Sequence, residues 1–179
     1  MRTDSAVVLD GVVAVLAKDR SASIKAIAAQ VGVSRATLTR LFPTRQDLLL
    51  AVSEKILADC GEVLDLVERP GTSVDEGITT LVVGSVPFAQ MWNVVYVDVD
   101  AVAAPGVSDR ASAVFQQVVS FMGRGQREGY LRQDMPATWL AASFCGLAET
   151  AWELVLEGRM GARQSPDFIA TMLLRGGSA

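Results

Sequence analysis

Histidine is absent from this chain of 179 residues, and cysteine occurs only twice, at Cys60 and Cys145. Without histidine the sequence lacks the commonest metal ligand and the commonest general base of proteins. Two cysteines can form neither a disulfide framework nor a four-ligand zinc site. We therefore expect no metal, no cofactor and no enzymatic activity.

A secretory signal is also lacking, because Asp4 and Asp10 interrupt the first apolar stretch. We therefore expect a cytoplasmic protein.

The uncharged run at 77–97 is long enough to span a bilayer, but Pro87 lies near its centre and acidic residues flank it. Basic residues would anchor the cytoplasmic end of a membrane helix. This pattern favours two buried helices that meet near Pro87, and no membrane.

The net charge of −4 is distributed unevenly along the chain. Residues 1–50 carry seven basic and four acidic side chains, a net charge of +3. The other 129 residues carry nine basic and sixteen acidic side chains, a net charge of −7. A basic head on an acidic body predicts that only the head meets a polyanion, while the body repels it.

Apolar residues recur at three- and four-residue spacing along the chain, which predicts an all-α fold. The break at 69–72 predicts a head at 1–50, with a connecting fourth helix at about 45–68, and a body at 51–179. In the body, proline and glycine residues mark the expected starts and ends of helices. We expect helices at 4–18, 24–31, 35–42, 45–68, 74–85, 87–103, 109–128, 136–158 and 165–175.

Two short helices joined by Gly32-Val33-Ser34 indicate a helix-turn-helix in the head. In this motif the first residues of the second helix lie against base edges in the major groove. Arginine can bind guanine O6 and N7 together, and threonine can contact phosphate or the thymine methyl group. The residues expected at the DNA are Arg35, Ala36, Thr37, Thr39 and Arg40. The alternative is a helical protein-interaction module whose polar face is only solvated and binds no DNA.

Residues 23–49, SIKAIAAQVGVSRATLTRLFPTRQDLL, resemble the DNA-binding signature of the TetR family of bacterial repressors. The resemblance extends from Val8 to Val52, and the body agrees with the family in length and helix order. It implies a homodimeric repressor, a palindromic operator in double-stranded DNA, and release of the DNA when a small-molecule effector binds the body. It matches Ser34 to the family's helix cap, Lys25, Thr37 and Arg40 to positions that face DNA, and Arg45 to a phosphate contact.

Aromatic and sulfur-containing side chains concentrate in the middle helices of the body. If the resemblance holds, the effector site lies among these helices and has apolar walls with few polar groups. The alternative is that these side chains simply fill the core, as most large apolar residues do. The residues expected at the effector are Trp92, Tyr96, Phe121, Met122 and Trp139.

Small residues recur at three- and four-residue spacing in the helix at 136–158, which allows another helix to approach closely. Packing of the last two helices onto the same pair of a second copy would give a four-helix interface about a two-fold axis. The alternative is packing within one chain. The small residues are Ala137, Ala141, Ala142, Cys145, Gly146 and Ala148.

Overall fold

The computed structural model describes residues 5–96 and 106–177, apart from the side chains of Trp92 and Tyr96. Within these ranges the regular structure is helical and contains no strand, which confirms the all-α prediction. The helices are α1 Ser5–Lys18, α2 Ile24–Val31, α3 Arg35–Leu41, α4 Arg45–Val67, α5 Val74–Val83, α6 Val86–Gln90, α7 Val107–Arg127, α8 Ala137–Leu156 and α9 Ser165–Gly177.

The head consists of α1, α2, α3 and the first turns of α4. The inward side of α1 buries five side chains, including Val12 and Leu16, and these pack with Ile27 from α2 and Leu38 from α3. Ile27 and Leu38 are fully buried. Because one apolar cluster fixes all the helices of the head, the outward face of α3 is held at a defined angle.

Helix α4 connects the head to the body. Thr44 and Asp47 form a capping box at its start: the Thr44 hydroxyl accepts from the Asp47 N–H at 3.0 Å, and the Asp47 carboxylate accepts from the Thr44 N–H at 2.9 Å. Buried residues follow along its whole length, from Leu48 to Val67. They belong to one cluster that runs from Val8 in the head to Leu173 in α9, so head and body share a continuous core through α4.

The prediction of one helix at 87–103 is only partly confirmed. Helix α6 ends at Gln90, and Met91–Tyr96 continue as a π-helix, in which each turn contains more residues than in an α-helix. The rest of the predicted helix lies outside the described residues. Met91, Val94 and Val95 are buried, and the π-helical segment packs against α1, α4 and α8. It therefore contacts the head and the body together.

Among residues 5–96 and 106–177, no single helix is long and apolar enough to cross a membrane. The pair Val74–Val83 and Val86–Val95 would satisfy length and composition only when joined, and it is bent by 55°.

Replacing Gly77 by alanine is expected to lower the free energy of unfolding by about 1–3 kcal/mol, because the added methyl group would overpack the core. A Cβ at Gly77 would lie 2.7 Å from Cε2 of the Phe121 ring, and Phe121 is fully buried. Urea unfolding followed by far-UV circular dichroism measures the change. Gly61 in α4 is the matched control, because a Cβ there meets nothing within 4 Å among the described residues. Gly61→Ala should leave stability unchanged or raise it by up to about 1 kcal/mol, and equal losses in both variants would contradict close packing at Gly77.

Candidate nucleic-acid interface

The turn between α2 and α3 is built from local hydrogen bonds. Gly32 adopts a left-handed conformation with φ of 76°, which favours glycine, and its N–H donates to Ala29 O at 3.3 Å. Ser34 then caps α3, because its Oγ accepts from the Thr37 N–H at 3.0 Å. The two caps fix where α2 ends and α3 begins, as the predicted helix-turn-helix requires.

Helix α3 has one buried side and one exposed side. Leu38 is fully buried in the apolar cluster of the head, whereas four of the residues predicted at the DNA lie on the exposed side. The spacing of these four residues places them on adjacent turns of one helical face. They are Arg35, Ala36, Thr39 and Arg40.

Thr37 differs from these four residues. Its side chain is partly buried, and its hydroxyl lies 2.8 Å from the Ser34 Oγ. The two side chains predicted at the DNA are therefore engaged with each other at the start of α3. This arrangement fixes the first turn of the helix that carries Arg35, and the sequence alone did not reveal it.

Arg45 stands at the first position of α4 and links two parts of the head. Its Nη1 donates to Ala22 O at 2.9 Å, and its Nη2 donates to Arg20 O. The guanidinium thus ties the loop between α1 and α2 to the start of α4. Arginine has five N–H donors, so the exposed side chain retains donors for a phosphate.

An ion-pair network attaches α1 to α4 further along the connecting helix. Lys55 Nζ lies 3.2 Å from Asp10 Oδ1 and 2.6 Å from Asp59 Oδ1. Burial disfavours the charge on Lys55, but hydrogen bonds to Asp59 and Asp10 outweigh it and raise the pKa of this ammonium group. Lys55 therefore stays charged at neutral pH. Lys25 on α2, by contrast, is exposed and free of ion pairs within the described chain.

The segment with this geometry matches known regulators. Residues 20–52 match the family model described as bacterial regulatory proteins, tetR family. The chain is also 26% identical over 169 residues to the HTH-type transcriptional repressor LfrR of Mycolicibacterium smegmatis, covering 94% of this chain and 87% of the repressor. The chain is therefore similar to TetR-family transcriptional regulators, in its helix-turn-helix segment and over most of its length.

Solved structures of TetR-like regulators share the whole fold. A crystal structure of LfrR from Mycobacterium smegmatis in complex with proflavine has a TM-score of 0.74 at 24% identity, covering 96% of this chain and 95% of that one. The ketosteroid transcriptional regulator KstR2 of Mycobacterium tuberculosis has a TM-score of 0.72 at 17% identity, covering 99% and 97% of the two chains. The all-helical body of this chain therefore has the same fold as theirs.

The structure separates the side chains that were predicted to line one effector pocket in the body. Phe121 and Met122 are fully buried in the core on α7. Trp139 is 61% exposed on the outer side of α8, so it does not lie with them around one internal cavity. The side chains of Trp92 and Tyr96 lie outside the described part of the chain. Sequence reasoning could not assign Trp139 to a side, because α8 carries small or apolar residues around most of its circumference.

The small residues of α8 divide between two faces. Ala141, Cys145 and Ala148 are buried inside the body, as the alternative of packing within one chain predicts. Ala142 and Gly146 are instead exposed on the outer side. The stripe that the sequence shows as one feature therefore belongs partly to the core and partly to the surface.

An apolar groove of about 490 Å³ runs along the outer side of α8 and α9. Trp139 and Gly146 from α8 and Met172 from α9 line it, and Met172 is 62% exposed. Phe168, one turn before Met172, is also 53% exposed. Large apolar side chains clustered at the surface of a folded protein mark an interaction site.

Proposed function

We propose that the chain is a homodimeric repressor that binds a palindromic operator through α3 of each copy and releases it when a small molecule binds the body. The observation that carries this proposal is the exposed face of α3. It presents two arginines on a helix that is capped at its start and anchored by Leu38, inside the segment that matches the tetR family model. The net charge of +3 in residues 1–50 supports attraction of this face to DNA.

The proposed roles within the interface follow from side-chain chemistry. Arg35 and Arg40 contact guanine edges, Ala36 contacts a thymine methyl group, and Thr39 contacts a phosphate or a base. Lys25 and Arg45 bind phosphates. Ser34 and Thr37 act mainly through the cap that they form, which fixes the first turn of α3.

The proposed dimer uses the outer faces of α8 and α9. Trp139, Phe168 and Met172 would be withdrawn from water, and Ala142 with Gly146 would allow the partner's helix to approach closely. A two-fold axis through this surface would present two copies of α3 to half-sites in successive major grooves, which is the reason for expecting a palindromic operator.

The proposed effector is a small apolar molecule that binds among α6, the π-helical segment and α7, at Trp92, Tyr96, Phe121 and Met122. Relatives with the same fold support a small-molecule ligand, because LfrR has a crystal structure in complex with proflavine and KstR2 is described as a ketosteroid transcriptional regulator. Since Phe121 and Met122 are fully buried, the effector must displace core side chains to enter. Such a ligand favours a conformation of the body in which Phe121 and Met122 have moved and no longer fill the site.

The DNA-binding part of the proposal is tested by titrating purified protein into genomic fragments from the region that surrounds its own gene, with unrelated DNA as competitor. We expect one or a few fragments to be retained by protein at nanomolar concentration, with an affinity that falls steeply as salt rises. A double variant, Arg35→Ala with Arg40→Ala, should lose this preference while keeping its helical content. Retention of all fragments alike would contradict sequence-specific binding.

The alternative function, a helical protein-interaction module without DNA binding, would leave the arginines of α3 without a role. The family match over residues 20–52 favours the regulator instead. We assign no reaction to the chain, because its sequence offers no histidine base and its relatives are transcriptional regulators.

A further inference from the structure

A cleft of about 460 Å³ lies where the head meets the body, and we call it the junction cleft. The end of α1 and the following loop form one wall with Ala17, Lys18 and Arg20. The last turns of α8 form the opposite wall, and Asn93 of the π-helical segment closes one side. The volume is in the range of small-molecule sites in proteins. This cleft shares none of its residues with the effector site proposed above.

The two walls of the junction cleft carry opposite charges. Lys18 and Arg20 make the head wall basic, and Glu153 with Glu157 makes the body wall acidic. Within the described chain no ion pair within 4 Å joins the basic residues to the acidic ones. Glu157 instead pairs with Arg159 at 3.1 Å, on an exposed surface. Both walls therefore keep charge available for a ligand that has a group of each sign.

Trp152 supplies the aromatic surface of the cleft. Its indole Nε1–H is buried and has no acceptor in the described parts of the chain. Buried donors of this kind are nearly always satisfied, so this N–H is free to donate to an acceptor oxygen when a ligand in the cleft shifts the indole ring. Leu156, one turn further along α8, adds an aliphatic surface beside the ring. The body wall thus combines an apolar patch with a hydrogen-bond donor and two carboxylates.

We propose that the junction cleft binds an α-amino acid with an apolar side chain. The carboxylate is recognised by Lys18 and Arg20, with the indole N–H of Trp152 as a further donor. The ammonium group is recognised by the carboxylates of the acidic wall, and the side chain lies against the indole ring and Leu156. A simple anion would leave the carboxylates of the acidic wall without a positive partner. A simple cation would leave Lys18 and Arg20 without a negative partner. A zwitterion pairs with both walls and therefore fits best.

A ligand in this cleft would influence DNA binding, a conclusion that rests on the proposed function. Arg20 O, in the cleft wall, accepts a hydrogen bond from the Arg45 guanidinium at the start of α4. A molecule held by both walls favours one separation of head and body, and therefore one placement of α3. The bound amino acid must then change the protein's affinity for the operator by a certain factor. The bound operator must change the protein's affinity for the amino acid by the same factor.

The binding test uses L-phenylalanine as the probe in isothermal titration of the full-length protein. Two analogues separate the charges: 3-phenylpropanoate lacks the ammonium group, and 2-phenylethylamine lacks the carboxylate. We expect saturable binding of phenylalanine and at least about 10-fold weaker binding of each analogue, because each leaves one charged wall unpaired. Equal affinity for either analogue, or no binding of phenylalanine at millimolar concentration, would overturn the proposal.

Two variants locate the binding in the junction cleft. Glu153→Gln should weaken phenylalanine binding by about 10-fold and should not weaken the binding of 3-phenylpropanoate. Glu149→Gln, one turn earlier on α8 and outside the cleft, should change neither affinity. Trp152→Phe keeps an aromatic ring but removes the N–H. It should weaken the binding of both ligands that carry a carboxylate, phenylalanine and 3-phenylpropanoate. Phenylalanine affinity that is equal in wild type and folded Glu153→Gln protein would show that the ligand binds elsewhere.

The regulatory part has a separate readout, the operator affinity with and without saturating phenylalanine. A change in affinity supports coupling through the cleft. Phenylalanine binding with unchanged operator affinity would overturn the coupling and leave the binding site intact. Failure to bind any DNA both with and without phenylalanine would contradict the proposed function instead of the cleft.

Discussion

Replacing Arg40 by alanine is expected to weaken operator binding by about 1–3 kcal/mol, about 5- to 150-fold in Kd, and to relax the preference at one base pair. Arg40 lies on the exposed face of α3, where a guanidinium can bind guanine O6 and N7 together. Fluorescence anisotropy with the operator and its single-base variants measures both effects. The helix itself should persist, because Leu38 anchors it from the opposite face.

Arg45→Ala is the matched comparison for Arg40→Ala. We expect it to weaken binding to operator and to unrelated duplexes by a similar factor, and to reduce the salt slope by about one phosphate contact. Arg45 also ties the loop after α1 to α4 through Ala22 O, so its loss loosens the head without removing a base contact. If both variants changed specificity and salt dependence alike, the division of roles between the two arginines would be wrong.

Replacing Gly146 by leucine is expected to convert the dimer into a monomer and to abolish high-affinity operator binding. A Cβ at Gly146 meets no heavy atom within 4 Å among the described residues, so the new side chain fits the isolated protomer. It would collide only with a second copy packed against α8. Because a monomer reaches only one half-site, its operator affinity should approach its affinity for nonspecific DNA.

Multi-angle light scattering at micromolar concentration measures the mass of wild type and variant. Ser112→Leu is the control, since Ser112 is also exposed but lies on α7, outside the proposed interface. We expect it to stay dimeric. A monomeric wild type, or a Gly146→Leu protein that remains dimeric, would contradict an interface formed by α8 and α9.

The head was largely predictable from the sequence because its determinants are local. Ser34, Thr44 and Gly32 act on their own helix ends, and each adopts the capping geometry that its residue type favours. The exposed arginines of α3 follow from the period of the helix once Leu38 is assigned to the core. The use of Thr37 in the cap was not predictable, because its hydroxyl can point either to Ser34 or outward.

The body was less predictable because its features depend on contacts between distant segments. Pro87 correctly indicated a helix start, but the change from α6 to a π-helix at Met91 has no residue signature. The division of α8 into a buried side at Ala141 and an exposed side at Ala142 was hidden for a similar reason. Small residues suit both close packing within the chain and close packing with a partner.

The junction cleft also could not be predicted from the sequence. It joins Lys18, at the end of α1, to Glu153 in α8, which lie at opposite ends of the chain. The basic head and acidic body were evident from the order of charges, but their meeting across one cleft depends on how α1 packs against the π-helical segment and α4. Long-range packing of this kind has no local pattern.

Recognition of DNA through α3 is tested by selecting bound duplexes from a random DNA library and sequencing them. We expect enrichment of one sequence with two-fold symmetry, whose half-sites are separated by about one helical turn or a multiple of it. The enrichment should be lost with the Arg35→Ala and Arg40→Ala double variant. A library that emerges without a preferred sequence, or with the same preference in that variant, would contradict recognition of DNA through α3.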